Sequence, residues 1–279
     1  PPTRRIHTAC LGIAGPIEGR RAKVTNLPWQ LDADKLASEF HLGQVQFIND
    51  FAAIGHGVPL LSEQDLCILQ SGEPLAQAPK AILGAGTGLG KALLFWCHDH
   101  YRVIATEGGH NHFAPCHGLQ VELLQYLRQR YERVSEERLL SGQGIQNIFA
   151  FLQQKNQTEI GTAMQQALQN ADPATVIAAF AQEKHHAIAV QCLQLFCEIY
   201  GQCAGDLALS CLARGGIYVA GGIAGKIRAF LTASDFLKAF NAKGRMTALM
   251  QQIPVYLILN PRIGLLGAMQ QAYLFARNK

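Results

Sequence analysis

The sequence predicts an α/β fold with a mixed β-sheet. Short apolar runs, typical of buried strands, alternate along the chain with longer segments of helical periodicity, and this alternation indicates helices packed on a sheet. Hydrophobic residues make up 49% of the 279 residues and charged residues 16%, which is a globular composition. A chain of this length can form one large domain or two lobes with a substantial core.

The first sixty residues are predicted to form short elements that end in turn or cap residues. In order, these are a buried strand over 6–14, a hairpin partner over 20–27, a short helix through 40, a buried strand over 45–48 and a helix over 51–58. The first strand ends at the Gly15-Pro16 turn, and Asp32 is a candidate N-cap of the short helix. Asn49 and Asp50 stand where the second buried strand meets the second helix.

The rest of the chain is predicted to contain longer helices. Its elements are a linking segment over 60–79, a hairpin over 81–96, a strand over 101–105, a helical region over 119–212, strands over 217–220 and 255–259, and a helix from 264. The linking segment carries Pro, Gly, Ser and Gln. Ser141-Gly142 and Asp172-Pro173 interrupt the helical region.

The hairpin over 81–96 is the most informative segment. Glycine stands at every second position from Gly84 to Gly90, between two short apolar runs. This pattern predicts a strand, a turn and a strand, with backbone amides that can surround an anion. A Walker A loop does not fit, because Ala85 and Ala92 stand where that loop needs a glycine and a hydroxyl, and no register gives G-x-G-x-x-G. The sequence therefore predicts a phosphate-binding hairpin, and a tight hairpin without a ligand is the alternative.

Two carboxylates directly follow predicted strands. Ligands of open α/β sheets gather beyond the carboxyl ends of the strands, so Asp50 is a candidate catalytic group, with helix capping as the alternative. Glu107 and His110 flank two glycines and could face one cavity, although a hydrogen-bonded loop histidine fits the sequence equally well. Glu137, judged on its neighbours alone, is a solvated charge.

A second glycine-flanked strand runs over 215–223. Gly221 and Gly222, at its carboxyl end, would let a flat ring or a ribose lie against the backbone. A tight strand-to-helix turn without a ligand explains the same residues.

The histidine-rich segment after Glu107 contains residue types that bind metals. Zinc binds nitrogen and sulfur ligands, which His110, His112, Cys116 and His117 could offer. Their spacing matches no zinc finger or catalytic zinc pattern, and Pro115 stiffens the segment. The sequence therefore predicts no metal ligands.

Several classes of protein are disfavoured by charge and composition. The net charge of +4 comes from scattered Lys and Arg, too sparse for a nucleic-acid surface. No apolar run approaches the roughly 18 residues of a membrane-spanning helix, so no membrane partner is expected. The eight cysteines are irregularly spaced and form no C-x-x-C, which favours a reducing, cytoplasmic location.

Seven segments, in this order, resemble the bacterial glucokinase family of the hexokinase/actin-like ATPase superfamily. They are Leu11-Gly12-Ile13-Ala14-Gly15-Pro16-Ile17-Glu18-Gly19, Thr25-Asn26-Leu27-Pro28-Trp29, Ile48-Asn49-Asp50-Phe51, the glycine hairpin, Glu107-Gly108-Gly109-His110, Phe113-Ala114-Pro115 and the strand over 215–223. The resemblance covers essentially all 279 residues. It implies a ribonuclease H-like/actin-like ATPase fold of two lobes, with a mixed sheet in each. The small lobe is expected to comprise 1–60 plus 261–279, and the large lobe 61–260.

The resemblance also implies an activity and a role for each candidate residue. The expected enzyme is an ATP:glucose 6-phosphotransferase that uses ATP and Mg²⁺, acts as a homodimer and has Asp50 as its catalytic base. Asn49, Glu107, His110 and Glu137 match the family's sugar ligands. The nucleotide is expected at the hairpin residues Gly84, Gly86, Thr87, Gly88 and Gly90 and at Gly221 and Gly222.

One family feature is not matched. Members begin with an Asp-x-Gly-Gly-Thr phosphate loop on their first strand, which helps to place Mg²⁺, and residues 1–279 do not contain it. The small lobe is therefore expected to be truncated at its N-terminus. Two alternatives stay open: a non-catalytic sugar-binding or regulatory protein of the same superfamily, and a kinase for another hexose.

Overall fold

The α/β fold is confirmed by a computed structural model that describes residues 6–25, 27–183, 185–233 and 235–277. Asn26, which belongs to one of the resembling segments, lies outside the described residues. The strands are β1 (Thr8–Ile13), β2 (Ile17–Glu18), β3 (Arg21–Lys23), β4 (Gln30–Asp32), β5 (Gln44–Asn49), β6 (Leu66–Gln70), β7 (Lys80–Ala85), β8 (Leu89–Cys97), β9 (His100–Thr106), β10 (Gly216–Ala220) and β11 (Val255–Ile258).

The helices lie between and after groups of these strands. They are α1 (Ala33–Glu39), α2 (Asp50–Gly57), α3 (Gly118–Arg128), α4 (Gly142–Asn156), α5 (Thr162–Asn170), α6 (Pro173–Gln182), α7 (Ala187–Cys211), α8 (Gly222–Lys226), α9 (Arg228–Thr232), α10 (Asp235–Asn241), α11 (Thr247–Gln252) and α12 (Ile263–Arg277). Single 3-10 turns occur at Val58–Leu60, Glu63–Asp65, Gly108–His110, Glu136–Arg138 and Gly244–Met246. Within the described part of the chain, no helix combines the length and the apolar character that a bilayer span requires.

The strands of the described residues form three sheets. The largest has the order β6-β11-β10-β7-β8-β9, and β10 runs parallel to both β7 and β11. A parallel pair joins β1 to β5, and β2, β3 and β4 form an antiparallel sheet.

Most predicted elements are present, and the differences have local causes. Asp32 caps α1 as predicted, because its Oδ1 accepts hydrogen bonds from the amides of Asp34 (3.0 Å) and Lys35 (3.2 Å). The interruptions of the helical region are helix starts, since Ser141 caps α4 and Asp172 caps α6. The segment over 60–79 was predicted to be a link, but its apolar run Leu66–Gln70 forms a sheet strand.

The chain forms two compact units. The first contains the described residues of Pro1–Cys67, Ala92–Ala105 and Ile258–Lys279, and the second contains Ile68–Lys91 and Thr106–Leu257. Residues 61–67, 92–105 and 258–260 thus cluster with the first unit, whereas they were expected in the large lobe. The functional assignment of the lobes stays a prediction.

In the first unit, the parallel strands pack on the small antiparallel sheet and on α1. Ile13, Ala22, Ala33, Val45 and Phe47 are the buried residues of this core. The strands β1 and β5 end side by side, with Ile13 in register with Asn49. The loop after β5 therefore begins at the carboxyl edge of the pair.

In the second unit, the core surrounds the long helix α7. Its residues Phe196 and Tyr200 are fully buried, and the ring of Tyr200 makes an edge contact with Phe236 of α10. All five residues of β10 are buried. This core therefore contacts the carboxyl ends of β7 and β10 through Tyr200.

Candidate functional site

The glycine hairpin has the predicted form of strand, turn and strand. The strand β7 ends at Ala85, β8 begins at Leu89, and the amide of Gly86 donates to the carbonyl of Gly88 over 2.8 Å. The side chain of Thr87 is exposed at the tip.

The ends of β7 and β10 are held together by Tyr200, which the sequence interpretation missed. Its hydroxyl accepts from the amide of Ala85 (3.1 Å) and lies 3.4 Å from the carbonyls of both Leu83 and Ala220. Burial raises the pKa of Tyr200, so the phenol stays neutral and keeps its donor proton. Beside it, Gly221 has φ 92°, and a Cβ there would lie 2.4 Å from the carbonyl oxygen of Ala85. The two glycine turns therefore form one close-packed structure.

A cleft of about 620 Å³ opens beside these two turns. Its lining includes Gly86 and Thr87 from the hairpin, Gly222 and Lys226 from α8, Gly142 at the start of α4 and Asp172. The structure thus brings three of the predicted nucleotide residues to one cleft. The other four shape the two turns without lining it, because Gly84 and Gly90 lie within strands, Gly88 lies beside Glu137, and Gly221 packs on β7.

The cleft has room for a bound group against its backbone. A Cβ built on Gly86 or on Gly222 would meet no atom within 4 Å, so the space beside both residues is open. The amide of Gly142 donates to the carbonyl of Gly86 over 2.9 Å and fixes the hairpin tip to the start of α4. Hydrogen bonds from Thr175, with a smaller effect of Lys226, lower the pKa of Asp172. The residues that line the cleft therefore fit a nucleotide. Lys226 supplies one cation to this lining, and Asp172 supplies one carboxylate.

Glu137 and His110 lie together at the other side of the hairpin. The Oε2 of Glu137 accepts from the amide of Leu89 (3.0 Å), and its Oε1 is 4.0 Å from Nδ1 of His110. The sequence neighbours of Glu137 predicted a solvated charge, and this was wrong, because the side chain is only 30% exposed and bonds to β8. Glu107 is exposed at the start of the Gly108–His110 turn, and its side chain makes no capping hydrogen bond.

Asn49 and Asp50 begin α2 in the first unit. Asn49 is the N-cap, since its Oδ1 accepts from the amides of Phe51 (2.9 Å) and Ala52 (3.0 Å). Its Nδ2 is thus the group that Asn49 can offer to a ligand. Asp50 is the first helical residue, with an exposed side chain whose Oδ1 lies 2.9 Å from the amide of Phe51. A negative charge is favourable at this end of a helix.

In the histidine-rich segment, the side chain of His117 pairs with a carboxylate. Nε2 of His117 lies 2.8 Å from Oε1 of Glu198 on α7. Among the residues that the structure describes, no three His, Cys, Asp or Glu side chains are grouped so as to hold a metal ion.

Lys91 and Glu136 are further residues near the site that the sequence interpretation missed. Lys91 is 4% exposed and forms an ion pair with Glu136, which is 12% exposed. The available signal for Lys91 was a charged residue directly before the apolar run over 92–96 of the predicted hairpin. Its partner is 45 positions away along the chain and could not be identified from the sequence.

The architecture is that of the actin-like ATPase fold, and comparisons with known proteins define the family. The family model "Glucokinase" matches residues 2–274. Glucokinases of Trichormus variabilis and Nostoc punctiforme are 44% and 45% identical over 273 residues, which is 93% of this chain and 80% of each relative. A crystal structure of glucokinase from an Antarctic psychrotroph superimposes with a TM-score of 0.84 at 31% identity, covering 95% of this chain and 80% of that one. The chain belongs to the glucokinase family.

Proposed function

We propose that this protein is a glucokinase, which transfers the γ-phosphoryl group of ATP to the 6-hydroxyl of D-glucose. Membership of the family supports the reaction, and the cleft supports the nucleotide. The observation that carries the proposal is that Gly86, Thr87 and Gly222, from two distant segments, line one open cleft of about 620 Å³. Phosphoryl transfer depends mainly on positioning and charge stabilisation, so this fold needs a base, a sugar site and a phosphate site.

The proposed roles follow the chemistry of each side chain. Glu107 and Glu137 accept hydrogen bonds from sugar hydroxyls, while His110 and the Nδ2 of Asn49 bind further hydroxyls. Asp50 accepts the proton of the sugar's 6-hydroxyl. As this proton leaves, the hydroxyl oxygen of the sugar forms a bond to the γ-phosphorus, and the bond between that phosphorus and the leaving ADP oxygen breaks. A carboxylate suits this step because it must only remove a proton from an oxygen that is already aligned.

The nucleotide residues are proposed to act as two turns. When bound, ATP supplies the phosphoryl group, with the hairpin over Gly84, Gly86, Thr87, Gly88 and Gly90 next to its phosphates. Gly221 and Gly222 lie next to its adenosine. Mg²⁺ takes most of its ligands from phosphate oxygens and water, so we assign no protein ligand to it.

A homodimer in the cytoplasm completes the proposal. Light scattering of the purified protein and fractionation of cells test these two properties.

The base is tested by Asp50→Ala and Asp50→Asn in the full-length protein. We expect kcat to fall by about 10² to 10⁴, the usual contribution of a general base, while the dissociation constant for glucose changes little. Calorimetry and a coupled assay measure the two quantities. Glu63→Gln, at another exposed carboxylate that begins a helical turn of the same unit, is the matched control and should retain full turnover. Turnover of Asp50→Asn close to that of the control would refute the role of Asp50.

A panel of hexoses separates the alternatives. D-glucose, D-mannose, D-fructose and D-glucosamine are compared by kcat/KM in the same coupled assay. The highest value with D-glucose supports the proposal, and a higher value with another hexose changes the substrate. Binding of a sugar without turnover of any hexose would indicate the non-catalytic alternative.

A further inference from the structure

We infer that Lys91 and Glu136 form a positioning pair, which holds the sugar-binding residues of the second unit in register with the glycine hairpin. The inference rests on the proposed function and adds to it two residues that contact neither the sugar nor the nucleotide.

Lys91 and Glu136 form a buried ion pair, and a buried ion pair is in itself weak evidence for a stabilising role. Burial disfavours the charged form of Lys91, but the carboxylate of Glu136, to which its ammonium group is bonded, holds its pKa above the ordinary value. Burial also raises the pKa of Cys203 to about 12, so its thiol is protonated near neutral pH and donates to Glu136 over 3.4 Å. Glu136 is therefore the charge that keeps Lys91 protonated. Buried ion pairs can often be replaced by apolar residues without loss of stability, so the position of this pair is more informative than its strength.

On its own strand, Lys91 supports the turn that carries Glu107 and His110. The carbonyl of Lys91 accepts from the hydroxyl of Thr106 (3.1 Å), and that hydroxyl accepts from the amide of Gly108 (3.2 Å). The aliphatic part of Lys91 packs against Gly108, since a Cβ there would lie 3.0 Å from the Cδ of Lys91. The turn over 107–110 is thus built directly on β8.

On the other side, Glu136 fixes the turn that carries Glu137. The amide of Glu136 donates to the carbonyl of Asn111 over 2.9 Å, and its side chain is bonded to Lys91. The next residue, Glu137, accepts from the amide of Leu89. The side chains of two consecutive glutamates therefore bind the same strand at positions two residues apart. Glu136 binds the side chain of Lys91, and Glu137 binds the backbone amide of Leu89. This arrangement sets the direction in which Glu137 presents its other oxygen to His110.

Both proposed sugar-binding turns thus contact Lys91, the 107–110 turn through its backbone carbonyl and aliphatic chain and the 136–138 turn through its ammonium group. Removal of either charge alone leaves the other buried and unpaired, which destabilises the protein for reasons unrelated to the sugar. Replacement of both charges by apolar residues removes the pair without leaving a buried charge. The double variant Lys91→Met/Glu136→Leu therefore separates positioning from folding.

The experiment compares this double variant with Lys243→Met/Asp206→Asn, which removes another ion pair of the same unit. Hydrogen exchange of the Leu89 amide is measured by NMR, together with melting temperature, glucose dissociation constant and the KM values for glucose and ATP. For Lys91→Met/Glu136→Leu we expect retained folding, faster exchange at Leu89 and a glucose KM raised about tenfold or more, since displacement of binding groups by 1 Å can cost 10²-fold. The KM for ATP should change much less, and the control should match the wild type in every quantity except melting temperature.

The outcomes distinguish the two proposals. Unchanged exchange at Leu89 and an unchanged glucose KM in a folded double variant would overturn the positioning role. A double variant that fails to fold would also overturn it, because the pair would then be required for the fold itself. A third outcome is faster exchange at Leu89 in the double variant together with no phosphorylation of any hexose by the wild type. The exchange result would support the contact of the pair with the hairpin, and the missing activity would refute the glucokinase assignment.

Discussion

At the scale of single residues, burial and local charge decide which state each titratable group adopts. His56 lies in the last turn of α2, where the helix end favours a positive charge. Burial, and to a lesser extent the neighbouring His100, nevertheless lowers its pKa from 6.5 to about 4. The cost of burying the imidazolium thus exceeds the favourable effect of the helix end.

This shift predicts an acid sensitivity of the fold. In the unfolded chain His56 binds a proton below about pH 6.5, but in the folded chain only below about pH 4. The contribution of neutral His56 to stability is therefore complete above pH 6.5 and is lost as the pH falls towards 4, by at most about 1.4 kcal/mol per pH unit. Thermal unfolding between pH 7.5 and 4.5 should show a smaller loss for His56→Gln than for the wild type.

His7→Gln is the control for this experiment. His7 is exposed in the same unit, so its replacement should leave the pH dependence unchanged. Equal slopes for the wild type and His56→Gln would show that His56 does not cause the sensitivity.

The candidate residues differ in how far the sequence could predict them. Asp50 and Glu107 were identifiable because each directly follows an apolar strand. The backbone partner of Glu137 was not identifiable, because Leu89 lies 48 positions away and the contact depends on how β8 and the 136–138 turn meet. Tyr200 was missed for the same reason, since its partners are 115 and 117 positions away in β7.

At the scale of elements, the approach of α12 to α2 is unusually close. A Cβ on Gly267 would lie 1.7 Å from the carbonyl oxygen of Ala53. Gly264, one turn earlier on α12, has room for a Cβ, whose nearest neighbour, the Cγ1 of Ile54, would lie at an ordinary contact distance of 3.9 Å. The two glycines therefore have different structural roles within one helix.

This difference predicts opposite effects of the same substitution. Gly267→Ala should destabilise the protein by about 1–3 kcal/mol, because the new methyl group forces the two helices apart. Gly264→Ala should be neutral or stabilise by up to about 1 kcal/mol, because alanine favours the helix. Chemical denaturation of both variants measures the difference, and similar effects at the two positions would contradict the packing of α12 on α2.

Elements with local signals were predictable, and their pairing was not. Alternate glycines between apolar runs identified the hairpin, and a cap residue marked the start of α1. The strand β6 was missed because it is only five residues long and lies in a segment with Pro, Gly and Ser, which are typical of a linker. The order of the large sheet could not be derived, because β6 pairs with β11, almost two hundred residues later.

At the scale of the whole molecule, substrate binding must raise the free energy of unfolding. A ligand that binds only the folded state stabilises it by about 2.7 kcal/mol at a concentration one hundred times its dissociation constant. We therefore expect D-glucose to raise the melting temperature of the full-length protein and of Asp50→Asn alike. L-glucose, which has the same solvent effect but the opposite hand, is the control. Equal shifts with both enantiomers would contradict a specific sugar site.

The phenol of Tyr200 has a consequence for how a nucleotide would enter the cleft. Because one hydroxyl joins a helix to the tips of two neighbouring strands, those tips can separate only by leaving polar atoms without partners in a dry interior. The cleft wall is thus preorganised, and an arriving ligand loses little affinity to ordering it. Rigidity at this wall is set by a fully buried tyrosine, whose hydroxyl bonds to the residues that immediately precede the two glycine turns.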